Sequence, residues 1–169
     1  MNGPLFAIDP STTSTGWAVL TAGGRLLQAG IVTGSKQTDP AELRIAVICR
    51  DLGTLFDGWQ PGTILIEWPS PHVGRRRHKG LGAGLAVYGA AAGALWWASL
   101  RWAEQQEPGV SVNAVSVDLW TRGVPKEDRL AAVAQQFPEY RGEADPGGDI
   151  GDAIGLGVWW IQERVLVPF

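Results

Sequence analysis

Cysteine is nearly absent. The single Cys49 in 169 residues cannot close an internal disulfide, so a packed core has to hold the chain together. A basic excess is missing as well: 14 Lys and Arg face 17 Asp and Glu, a formal net charge of −3. Any affinity for nucleic acid must therefore come from a local basic patch and bound cations, because the overall charge attracts no such partner. The chain start shows no basic stretch leading into an apolar core and cleavage site, and with the lone cysteine this gives the expectation of an intracellular, cytoplasmic protein. Residues 81–100 carry no charge, but most of them are glycine and alanine, so they read as a soluble helix and no membrane partner is expected. What the chain does have is 45% apolar and 18% charged residues, enough to fill one core, at a length that suits one domain spanning residues 1–169.

Residues 5–8 form a short apolar run ending at Asp9-Pro10, and turn-forming residues separate it from a second run at 17–20. Ala22-Gly23-Gly24 makes another turn into residues 26–32, so three strands follow one another at hairpin spacing. Asp39-Pro40-Ala41-Glu42 has the pattern of a helix start, with Asp39 as cap. The helix is expected to run to about Phe56, with Leu43, Val47, Leu52 and Leu55 as its apolar stripe and Ile48 beside them. Residues 63–66 form a fourth strand ending in Glu67, and residues 81–100 a helix whose Gly89 and Gly93, four apart, suit close packing. A fifth strand at 112–117, a helix from Pro125 with Leu130, Val133, Ala134 and Phe137 on its apolar side, and a last helix from Asp149 to about Val165 complete the chain. Strands and helices in this order predict an α/β fold of the RNase H-like type: a five-stranded mixed sheet, three antiparallel strands and then parallel ones, flanked by helices.

The acids fall at telling places. Asp9 and Glu67 each end an apolar run that should be a central strand, and neighbouring parallel strands would bring the two carboxylates side by side. Asp149 and Asp152, three apart, share one face of the last helix. Taken singly, an Asp-Pro pair forms turns, a glutamate can mark a strand boundary, and Asp149 after two glycines can cap its helix. Together, four convergent carboxylates make an all-oxygen site for magnesium or manganese rather than zinc, suited to two-metal phosphodiester hydrolysis. Arg75-Arg76-Arg77-His78-Lys79, between two glycines just after the Glu67 strand, is the candidate phosphate-binding patch.

These motifs carry a resemblance. Phe6-Ala7-Ile8-Asp9-Pro10 with Thr15-Gly16-Trp17-Ala18-Val19, then Ile64-Leu65-Ile66-Glu67, then Asp149-Ile150-Gly151-Asp152-Ala153-Ile154, resemble in order the three motifs of the RuvC family of Holliday junction resolvases. The uncharged helix is similar to the family's central helix at its dimer interface, and residues 117–123 followed by Lys126 resemble its basic segment near the scissile phosphate. The resemblance implies a homodimeric, magnesium-dependent endonuclease of a bacterium or a virus that nicks four-way DNA junctions symmetrically and leaves 5′ phosphates, with manganese able to substitute. It also implies that Asp9, Glu67, Asp149 and Asp152 hold two ions and that Lys126 is a catalytic phosphate contact, with Arg122, Lys126 and the 75–79 patch on the DNA. No partner helicase is legible.

The chain departs from the family pattern at Ser11, where glycine usually follows Asp-Pro, and at Asp118, where a basic residue is common. Ser70 stands where the bacterial enzymes carry an aromatic wedge; Trp68 and His72 are the nearby rings, and Trp68 reads as packed. Other readings remain open at this level: a related nuclease for flaps, other branched DNA or RNA precursors, a non-catalytic branched-DNA binder, or an ATPase whose phosphate loop is imitated by residues 11–16. The ATPase needs two such domains, and the chain has the length of one.

Overall fold

The computed structural model describes residues 3–70, 81–106 and 109–166, and the side chains of all of these except 81–85 and 164–166. The elements are β1 (Leu5–Asp9), β2 (Ser14–Leu20), β3 (Leu26–Thr33), α1 (Ala41–Trp59), β4 (Thr63–Trp68), α2 (Leu81–Ala103), β5 (Ser111–Ser116), α3 (Val117–Thr121), α4 (Lys126–Gln136) and α5 (Asp149–Leu166), with a 3-10 turn at Gly142–Ala144. The strands pair in the order β3-β2-β1-β4-β5, antiparallel in the first two pairs and parallel in the last two. This is the expected five-stranded mixed sheet. In the parallel β1–β4 ladder Ile8 lies opposite Ile66, so the next residues, Asp9 and Glu67, leave the core together.

Side chains alternate across a strand, and the alternation divides the core in two. Leu5, Ala7, Leu65 and Val115 point to the face covered by Ala153, Ile154, Leu156 and Ile161 of α5, with Trp120, Val133 and Phe137. Phe6, Ile8, Ile64 and Ile66 point to the other face, under Ile48, Leu52 and Phe56 of α1 and Leu95 and Trp102 of α2. Each large side chain buried in full stabilises the fold by about 1.5–3 kcal/mol. The same period of two puts Asp9 with Leu5 and Ala7, and Glu67 with Leu65: both acids belong to the α5 face. Trp68 belongs to the opposite face and meets Trp96 of α2 edge-on, with ring centroids 6.3 Å apart.

Several local expectations need correction. Asp39 does not cap α1: the helix starts at Ala41 after Pro40 with no side-chain cap, and the Asp39 carbonyl accepts a bond from Arg44 instead. The helix continues through Asp57-Gly58 to Trp59 and stops at Gln60, which is left-handed. Its buried stripe is Ile45, Ile48, Leu52 and Phe56, while Leu43 is 49% exposed, because this set meets both the sheet and α2. Glu67 is followed by one more strand residue, and β5 ends at Ser116, so Val117 opens α3. Ala134 is exposed. Gly89 and Gly93 do not mark a close approach among the described residues: a Cβ on either would meet none of their atoms within 4 Å. Trp102 is buried, Trp96 half-buried and Trp97 62% exposed. No helix among the described residues is long and apolar enough to cross a membrane.

Candidate active site

Asp9 and Glu67 sit at the carboxyl ends of adjacent parallel strands, buried to 9% and 8% exposure. The first turn of α5 brings Asp149 and Asp152 over the same end. That placement depends on a close approach: a Cβ on Gly16 would lie 2.1 Å from the Asp149 carbonyl oxygen, so only glycine in β2 lets the helix start seat there. Asp149 is not the cap of its helix. Its Oδ2 accepts a bond from Ser14 Oγ at 2.9 Å, while the free amide of Gly151 is met by Asp145 Oδ2 at 2.9 Å. Asp145 is buried and also accepts from Tyr140 Oη at 2.8 Å, and Gly148, with φ +71°, turns the chain into the helix.

Each acid has its own surroundings. Glu67 is held at both oxygens, by Tyr88 Oη of α2 at 2.9 Å and by Trp120 Nε1 of α3 at 2.8 Å. Asp152, 5% exposed, is held by two cations of α4: Lys126 Nζ lies 2.8 Å from Oδ2, and Arg129 Nη2 lies 2.8 Å from Oδ1. Arg129 also lies over the Trp120 ring, 4.9 Å from its centroid. The Asp9 carboxylate takes no hydrogen bond from any described residue.

The electrostatics follow from this crowding. Burial first, then the charges of Glu67, Asp152 and Asp149, push Asp9 well above the usual carboxylate range, with Lys126 opposing. Burial also raises Glu67, against the hydrogen bonds from Tyr88 and Trp120. Tyr88 is pushed up by burial and by the charges of Glu67 and Asp9. Burial pulls Lys126 down, but the bond to Asp152 and the nearby acids raise it overall. The site thus carries more negative charge than it can comfortably ionise. An all-oxygen donor set with unmatched negative charge fits a hard divalent cation in its chemistry. In its spacing it is open: among the described residues no group of three or more acids, histidines or cysteines is set to hold a metal ion, and Asp152 is engaged by α4.

The structure therefore gathers Asp9, Glu67, Asp149, Asp152 and Lys126. Arg122 lies apart from them, left-handed at the end of α3 and paired with Glu163 Oε1 of α5 at 2.5 Å. Arg75, Arg76, Arg77 and Lys79, with His72 and His78, lie outside the described residues. Ser70, at the wedge position, is buried and donates to Asp118. Reading the sequence missed Arg129, Trp120, Tyr88, Ser14 and Asp145. Arg129 could have been found at three residues from Lys126 on one helix face, and Tyr88 as a hydroxyl in a long uncharged helix. Trp120, one of nine tryptophans, gave no signal.

No protein-family model and no curated protein sequence matches the chain. Solved structures do. RuvC of Thermus thermophilus in complex with a Holliday junction substrate superposes with a TM-score of 0.68 at 19% identity, over 97% of this chain and 96% of that one. A second Thermus thermophilus RuvC structure gives 0.65 at 20% identity over 96% of each. The yeast mitochondrial Holliday junction resolvase Ydc2 gives 0.61 at 13% identity, over 95% of this chain and 78% of that one. Over nearly its whole length the chain has the fold of the RuvC Holliday junction resolvases.

Proposed function

We propose that this chain is a structure-specific DNA endonuclease that resolves four-way junctions by metal-assisted phosphodiester hydrolysis. The observation that carries the reading is the convergence of Asp9, Glu67, Asp149 and Asp152 at one end of the sheet, in a chain with the fold of junction resolvases. A protein that only binds phosphate gains nothing from such a cluster, because the acids repel DNA and weaken one another's ionised state.

The four acids are the residues that would hold magnesium, with manganese as a substitute, as two ions. Divalent ions bound there would supply a water of lowered pKa and would neutralise charge on the departing 3′ oxygen, so that the other product would carry a 5′ phosphate. Asp9, beside Glu67 and on the α5 face, would be a ligand of such ions. Glu67 is fixed for its part by the Tyr88 and Trp120 donors, and Asp149 by Ser14. Lys126, half-exposed beside Asp152, is proposed as the contact to the scissile phosphate. Arg122 is in an exposed ion pair worth about 0.2–1 kcal/mol, weak enough for a DNA phosphate to take it over. Arg75, Arg76, Arg77 and Lys79 are proposed as further phosphate contacts.

The chain is proposed to act as a homodimer, since a two-fold enzyme suits a junction whose arms are related by near two-fold symmetry. The surface that supports this is one stripe of α2, where Ala86, Gly89, Ala90, Gly93 and Trp97 are open or exposed at helical spacing. The test is a labelled synthetic four-way junction incubated with magnesium or manganese beside flap, duplex and single-stranded controls. Paired symmetrical nicks confined to the junction, abolished in Asp9→Asn while junction binding persists, are expected. Binding without cutting at any metal concentration contradicts the proposal.

A further inference from the structure

The first turn of α4 presents two cations to a single acid. Lys126 Nζ donates to Asp152 Oδ2 at 2.8 Å, while Arg129 donates to Oδ1 through Nη2 at 2.8 Å and Nε at 3.2 Å. A carboxylate offers about four lone-pair sites, and these contacts use three of them. A divalent cation arriving at Asp152 thus meets one open position and two positive charges already on the same group. The guanidinium is not free to swing aside unaided. Its Nη1 donates to the Val124 carbonyl at 2.8 Å, and its plane lies over Trp120, the residue that also holds Glu67.

We infer that Lys126 and Arg129 compete with a divalent cation for Asp152, standing in for it in the metal-free protein and giving way when it is seated. The inference rests on the nuclease reading above and adds a role for Arg129, a positioning residue that acts through Asp152. It is consistent with four acids at one end of the sheet of which, among the described residues, no three are set to hold a metal ion. DNA phosphates are natural acceptors for the two displaced side chains, so DNA binding and metal loading should favour each other, as linkage requires.

The test is a Mn2+ titration of the DNA-free protein, with unbound ion read from its electron paramagnetic resonance signal. Lys126→Met and Arg129→Met should each bind Mn2+ at least ~5-fold more tightly than wild type. Arg129→Lys keeps the charge and should stay near wild type, and adding Asp152→Asn to Lys126→Met should erase the gain. Cleavage by Lys126→Met should fall, opposite in sign to its metal affinity. Should Arg129→Met fail to fold, the half-exposed Lys126 carries the test. Equal affinity in wild type and every folded Met variant overturns the competition and leaves the nuclease reading standing. No Mn2+ binding by any of them, with or without a four-way junction present, overturns both.

Discussion

At the scale of single residues, Asp9 is the most strained group in the site. Its carboxylate is buried among three other acids with no hydrogen bond from a described residue, and its pKa is raised mainly by burial. A carboxyl that is harder to ionise folded than unfolded binds more protons in the native state. Its contribution to stability is therefore greatest below the ordinary carboxylate value and is lost as pH rises from there through the raised native value. Asp9→Asn removes this cost. In chelator at neutral pH the variant should melt several degrees above wild type, and the gap should close as the pH drops below the ordinary carboxylate range. A thermal melt series across pH checks it; a lower melting temperature at neutral pH contradicts the account. Asp9 itself was legible in the sequence because an acid ending an apolar run is an anomaly that geometry has to explain. Its neighbours were not. Trp120 and Tyr88 serve Glu67 through contacts 53 and 21 residues away along the chain, and no local pattern records such a bond.

Among the elements, α5 carries the greatest burden, since half of the acids ride on its first turn. Its start is fixed by Asp145, which meets the Gly151 amide and the Tyr140 hydroxyl. Asp145→Ala leaves that amide without its partner and should destabilise the protein by about 1–2 kcal/mol in chemical denaturation. Cleavage should fall further than stability explains, because Asp149 and Asp152 lose their register. Unchanged stability would show that the turn is held otherwise. The element scale also shows where sequence patterns mislead. The stripe assigned to α1 around Leu43 had helical spacing, but two overlapping apolar sets satisfy that period, and only packing against both the sheet and α2 selects Ile45, Ile48, Leu52 and Phe56. Asp39 met the rules for a cap, yet the chain takes Pro40 at that position, and Arg44 ties down the preceding loop through backbone carbonyls. The strands were easier, because β1 and β4 are short continuous apolar runs buried on both faces.

For the whole molecule, the sheet order was readable from the sequence of elements, while the proposed use of the outer side of α2 as a dimer surface was not, because it depends on which side α1 and the sheet leave uncovered. Gly89 and Gly93 expose backbone on the outer side of that helix. A Cβ at Gly93 meets no described atom within 4 Å, so Gly93→Leu should fold, yet it should sediment as a monomer if the wild type is the proposed dimer. Equal sedimentation of the two would remove α2 from the interface. The net charge of −3 makes the local arrangement of charge decisive for the proposed function, since DNA would have to be drawn to an end of the sheet where four acids are concentrated. The most direct measurement is anomalous diffraction from crystals of the protein with a four-way junction and Mn2+. Peaks within about 2–2.5 Å of oxygens of Asp9, Glu67, Asp149 and Asp152, beside a phosphate of the junction, are the predicted result. Bound DNA with no ion among those oxygens at saturating Mn2+, and Asp152 still on Lys126 and Arg129, would contradict it.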